Sequence, residues 1–191
     1  ILRTPRRVLD DHLRRQIEHG LPVVIVFPEN PSTCPSNSID IDNVTAGRLA
    51  GRLLCEAGRQ RLLLIEDEVT WEAIKLRHQG FMAVSQESAA KTQVLKIPAG
   101  MDVEATEAWL AAQLKKIRPD GIYTASSVTG VEALIACQIA GLRVPDCTAL
   151  VGSDAAVWKT SGYPAITSVD VSWYNVGECA VRKMAELQNE D

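Results

Sequence analysis

Histidine is scarce in this chain. The three present, at 12, 19 and 78, have no ligand spacing and fall on helical stretches, so nothing points to a metal centre. There is no phosphate loop, no GxGxxG and no GxSxG nucleophile elbow. Gly152-Ser153-Asp154 has the look of a hydrolase fragment, but no histidine follows Ser153 to act as its base. With no nucleophile–base set and no cofactor loop, the chain does not read as an enzyme. No apolar run approaches the roughly 20 residues of a membrane helix. The net charge of −4 offers no surface for nucleic acid. The five cysteines (34, 55, 137, 147, 179) are odd in number, lie far apart and form no CxxC. They read as free thiols of a reducing cytosol, so a cytoplasmic location is expected. An initiating methionine, a signal peptide and a leading strand are also lacking, and the expectation is a piece of a longer chain.

What is present is ordinary globular material. A composition 46% hydrophobic and 23% charged argues against disorder, and 191 residues suffice for one domain or two small lobes. Val8, Leu9, Leu13 and Ile17 predict a helix over 6–19, with a solvated face carrying most of its arginines. Pro22–Phe27 is an apolar run of the kind buried in a parallel sheet. Residues 28–37 read as a proline-rich loop and 38–42 as a short strand. Asn43 or Thr45 is a candidate cap for a helix with apolar positions at Ala46, Leu49, Leu53 and Leu54. Strands follow at 61–65, 93–97, 119–125, 148–152 and 166–171. Helices are predicted over 71–86, 102–116, 128–140 and 173–187, with 155–163 irregular or a short helical turn. Strand and helix alternate with short connections, which predicts an α/β, doubly wound fold with parallel strands.

The stretch from Pro119 to Asp154 is a β-α-β unit with polar residues at the carboxyl ends of both strands. Ligands of open parallel sheets bind at such ends. Ser126, Ser127 and Asp154 are therefore either site residues or loop caps, and Arg77 is either a surface arginine or a ligand contact. Aromatics make up only 5% of the chain, so four tryptophans stand out. Trp109 lies within a helix face and reads as core. Trp71, Trp158 and Trp173 sit at the edges of regular elements, where an indole can stack on a sugar or a base.

Several stretches resemble one family. They are SIDIDNVTAGRLAGRLLCEAGRQRLLLIE, RHQGF at 77–81, PDGIYTASS, GLRVPDCTALVGSD and AITSVDVSWYNVGECAVRKM. In order, and over nearly the whole chain, they are similar to the effector-binding part of the lactose/galactose-repressor family of bacterial transcriptional regulators. The resemblance implies two doubly wound parallel-sheet lobes of the type I periplasmic-binding-protein kind. Residues 43–167 would form one lobe. Residues 1–42 and 168–191 would form an incomplete other lobe.

The resemblance also implies a function. A small effector (a sugar, sugar phosphate or nucleoside) would bind between the lobes at Trp71, Ala73, Arg77, Ser126, Asp154, Trp173 and Asp42. No cofactor and no membrane are implied. The chain would form a homodimer, with the helix 128–140 as a candidate interface. It would reach operator DNA only through a helix-turn-helix domain absent from this chain. The family's Asn-Asp is Ser126-Ser127 here, its glutamine is Val171, and Ser153 and Ala155 flank Asp154. Those departures point to an effector unlike the usual hexose. A sugar-binding protein of a transporter shares the fold and is the alternative reading.

Overall fold

Among the described residues, eight strands pair in parallel and form two sheets. The computed structural model describes residues 2–3, 11–28, 37–67, 71–154, 166–170 and 172–189. Two units result: Ile1–Asp42 with Ser172–Asp191, and Asn43–Val171. Cys34, Ala155, Trp158 and Val171 lie outside the described residues, as do residues 29–36, expected as loop, and all of 155–163, expected to be irregular or a short helical turn.

The smaller unit holds β1 (Leu2–Arg3), α1 (Asp11–Glu18), β2 (Ile25–Val26), β3 (Ser38–Ile39) and α6 (Trp173–Gln188), with sheet order β1-β2-β3. The run Pro22–Phe27 yields a ladder of only two residues, although Val23 to Val26 are all buried. Phe27 adopts φ +56°, which turns the chain out of the strand. Val176, Met184 and Leu187, on one stripe of α6, pack with Ala180 against Val24 and Val26, as helical spacing predicts.

The larger unit holds α2 (Asn43–Glu56), β4 (Arg61–Glu66), α3 (Glu72–Glu87), β5 (Lys91–Lys96), α4 (Val103–Ile117), β6 (Gly121–Thr124), α5 (Ser127–Ala140), β7 (Ala149–Ser153) and β8 (Thr167–Val169). Its sheet order is β5-β4-β6-β7-β8. Successive side chains alternate between two covered faces. Leu63, Ile65, Ile122 and Leu150 pack with Leu110 and Leu114 of α4 and with Ala133 and Cys137 of α5. Leu62, Leu64, Tyr123 and Val151 pack with Ala50 and Leu54 of α2 and with Phe81 of α3. Each fully buried leucine or isoleucine contributes about 1.5–3 kcal/mol. Burial on both faces accounts for strands that read as unbroken apolar runs. Thr167, Ser168 and Val169 pair with Val151, Gly152 and Ser153, which places β8 at the edge of this sheet.

One helix face differs from the expectation. Leu49 and Leu53 of α2 are exposed, and the buried stripe is Asn43, Gly47, Ala50, Gly51 and Leu54. The reason is a close crossing with α3. A Cβ on Gly47 would meet the Arg77 carbonyl oxygen at 1.8 Å, and one on Gly80 would meet that of Val44 at 2.0 Å. Two glycines, one on each helix, let the backbones touch. Small residues rather than leucines make this contact.

Candidate functional site

The order of the larger sheet reverses beside β4. The chain runs outward from β4 to β5, then returns to β6 and continues to β7 and β8. Ligand crevices in open parallel sheets form at the carboxyl ends of the strands flanking such a reversal. Here Glu66 ends β4 and Asp67 follows it, and Ala125 and Ser126 follow β6. Ser153 and Asp154 stand at the end of neighbouring β7.

Arg77 ties these ends together. It is one turn before Gly80 on α3, and its side chain is only 9% exposed. Nε donates to Asn43 Oδ1 at 2.9 Å. Nη1 donates to the Ala125 carbonyl at 2.9 Å and to Asp154 Oδ2 at 3.0 Å. The α2–α3 crossing is what brings Asn43 within reach. Asn43, expected as a possible cap, is instead the first residue of α2 and an acceptor for the guanidinium. Asp154 has φ +59°, a conformation uncommon for a side chain larger than glycine's. Its Oδ1 is buried and has no partner among the described residues. A buried acceptor without a donor is costly, and a ligand hydroxyl or N–H is one way to satisfy it.

The layer beneath is also polar. Tyr123 is fully buried, stacks on Phe81 at 4.7 Å, and shares a hydrogen bond of 3.3 Å with the Ser153 hydroxyl. Burial pushes its phenol up from the ordinary value. His78 Nδ1 lies 3.4 Å from Glu66 Oε1, and its Nε2 is buried without a partner among the described residues. Burial pulls the imidazole below 6.5; Glu66 opposes that shift and Arg77 adds to it.

Ser126 has partners within the chain. Its hydroxyl caps α5 by accepting from Thr129 N at 3.3 Å, and it lies 2.9 Å from the Thr129 hydroxyl. The Thr129 hydroxyl donates to Asp67, whose carboxyl also hydrogen-bonds Ser126. Burial raises the Asp67 pKa, and the Ser126 bond lowers it in part. Trp71 precedes α3, is about half exposed and makes no side-chain cap. Ala73, partly buried, stands one turn before Arg77. Asp42 and Trp173 belong to the smaller unit. Asp42 is exposed there. Trp173 meets Phe27 edge-on at 5.0 Å and helps line an apolar groove of about 840 Å³ with Val26, Tyr174 and Val181. The structure thus joins Arg77 directly to Asp154, with Ser126 next to Ala125.

The family described as periplasmic binding protein-like domain matches residues 38–191. The chain belongs to this family. Curated relatives that it matches include transcription regulators. It is 27% identical to the HTH-type transcriptional repressor PurR of Mannheimia succiniciproducens over 87% of this chain and 50% of the relative. It is 28% identical to the HTH-type transcriptional regulator CelR of Thermobifida fusca over 93% of this chain and 52% of the relative. The chain therefore spans about half the length of the curated relatives it matches. A solved structure of a transcriptional regulator CelR–cellobiose complex is 26% identical, with a TM-score of 0.72 over 95% of this chain and 57% of that one. A LacI family transcriptional regulator from Arthrobacter sp. FB24 in complex with lactose has the same fold, with a TM-score of 0.73 at 23% identity over 88% of this chain and 63% of that one.

Within this member of the family, Asn43, the Ala125 carbonyl, Tyr123 and Asp67 are parts of the site that residue patterns did not single out. The one signal for Asn43 was its spacing to Gly47 and Gly51, which marks a helix face too small to pack by itself. For Asp67 there was none, because its partners Ser126 and Thr129 lie about sixty residues away.

Proposed function

We propose that this chain is the effector-sensing part of a bacterial transcription regulator. Its effector is a small hydroxyl-rich molecule, a sugar or sugar derivative, held at the carboxyl ends of β4, β6 and β7. The observation that carries this reading is the Arg77–Asp154 pair at the sheet reversal, with Asp154 Oδ1 buried and unpartnered among the described residues. A guanidinium and a carboxylate together offer donors and acceptors to vicinal hydroxyls. The cellobiose and lactose complexes of solved relatives support a carbohydrate as the class.

The chain binds its effector without transforming it. Residues 1–42 and the C-terminal helix form one lobe, and the Asn43–Val171 unit forms the other. Asp42, Trp71, Ala73 and Trp173 complete the contacts. The effector favours one arrangement of the lobes, and that difference in affinity is all that shifts the equilibrium. Two copies pair through α5, whose Val128 and Ile139 are 61% and 51% exposed. A helix-turn-helix segment outside this chain delivers the signal to operator DNA in the cytoplasm, in keeping with the HTH-type relatives.

Thermal unfolding with a panel of uncharged mono- and disaccharides, sugar phosphates and nucleosides tests this. A ligand of the folded state raises the midpoint as its concentration rises. At least one carbohydrate is expected to do so. A panel in which no carbohydrate raises the midpoint would overturn the reading.

A further inference from the structure

The N-terminus of α5 opens at the carboxyl end of β6, on the sheet reversal. A helix start of this kind presents unpaired N–H groups and a partial positive charge, and it commonly holds an anion. In this protein a carboxylate of the chain already stands there. Asp67, at the end of β4, accepts from the Thr129 hydroxyl and hydrogen-bonds Ser126, the residue that caps the helix. Among the described residues, the cation at these strand ends is also balanced. Arg77 has Asp154 at 3.0 Å and directs its other contacts to Asn43 and Ala125. Glu66 precedes Asp67, and Glu72 opens α3 with Lys75 paired to it at 3.2 Å. The charge of Asp67 is felt along the helix. Glu132, one turn into α5, has its carboxyl raised by burial and then by Asp67 and Glu107.

We infer that Asp67 is a specificity-determining residue: it occupies the anion position at the start of α5, so the site accepts uncharged hydroxyl-rich effectors and rejects their phosphate esters. This rests on the proposed effector site and narrows its ligand class. A phosphate brought to β6 must sit beside Asp67 and Asp154, and the one arginine described there is already paired to Asp154. Repulsion between like charges in a partly buried crevice is only weakly screened. Removing the Asp67 charge vacates the helix start while leaving Ser126 to cap it.

The test uses the whole chain, as wild type, Asp67→Asn and Asp67→Ser. Inorganic phosphate is titrated at constant ionic strength while the amide resonances of Val128 and Thr129 are followed by NMR. Glucose with glucose 6-phosphate and ribose with ribose 5-phosphate are compared as matched pairs. The wild type is expected to show no saturable phosphate response, and any sugar it binds should bind at least about tenfold tighter than its ester. At least one variant, with the wild-type circular dichroism spectrum, should gain saturable phosphate binding at those amides. A saturable response in the wild type, an ester that binds it as tightly as the parent sugar, or folded variants with no gain would each overturn the inference. If no carbohydrate binds but the variants gain phosphate, the proposed effector class fails and the role of Asp67 stands.

Discussion

Arg77 and Asp154 are 77 residues apart in the chain, and their side chains meet at 3.0 Å. One comes from a helix on a face of the sheet, the other from the end of a strand. The contact exists because α3 crosses α2 closely and because Asp154 turns its backbone into the left-handed region. Arg77 also holds Asn43 and the Ala125 carbonyl, so one side chain joins α2, β6 and β7.

Removing the arginine therefore leaves several groups unsatisfied. Arg77→Ala is expected to destabilise the chain by about 3 kcal/mol, as for one partner of a buried ion pair. Asp154→Asn keeps an oxygen to accept from Nη1 and should cost about 1 kcal/mol. Urea unfolding at unchanged slope measures both. A loss below about 0.5 kcal/mol for Arg77→Ala would place the pair with weak surface bridges.

The helix crossing makes a second prediction, with an internal control of opposite sign. Gly47→Ala and Gly80→Ala each drive a methyl group into a carbonyl oxygen that cannot move alone. Each should cost about 3 kcal/mol through overpacking, and each should weaken effector binding by displacing Arg77. Gly177, in α6, has nothing within 4 Å of an added Cβ. Gly177→Ala should stabilise by up to about 1 kcal/mol through helix propensity. Unfolding midpoints of the three variants decide this, and equal effects would contradict the close crossing.

Much of this architecture was legible in the residues. Apolar runs separated by amphipathic helices announced a parallel α/β fold, because strands buried on both faces leave that pattern. Val176, Ala180, Met184 and Leu187 marked the stripe of α6 that packs on the smaller sheet. The stripe of α2 was misread. Hydrophobicity favours Leu49 and Leu53, whereas the contact is decided by how closely the backbones approach, which a residue count does not express. The candidate site was legible as two strand ends and an arginine, and the Arg77 and Asp154 named by the resemblance meet in the fold. The roles of Asn43 and Asp67 were not legible. Both depend on partners brought near by the fold, across 34 and 62 positions. Ser126, expected as a ligand contact, also caps α5 and hydrogen-bonds Asp67, a second role its position did not announce.

His78 gives the stability a definite pH dependence. Its folded pKa lies below the ordinary 6.5, chiefly because burial disfavours the cation. Between the two values the unfolded chain binds more protons than the folded one, so stability rises with pH. This contribution is full above 6.5 and is lost as pH falls toward the folded value. The stability advantage of wild type over His78→Gln should therefore shrink between about pH 7.5 and about pH 5. Chemical unfolding across that window measures it. A difference that stays flat or grows on acidification would contradict the assignment.

The most direct measurement is calorimetric titration of the strongest carbohydrate from the thermal panel into the wild type, Arg77→Ala and Asp154→Ala. If Arg77 and Asp154 hold the effector, both variants should bind about thirtyfold more weakly or worse while remaining folded. Two folded variants that bind within about twofold of the wild type would contradict an effector site built on this pair.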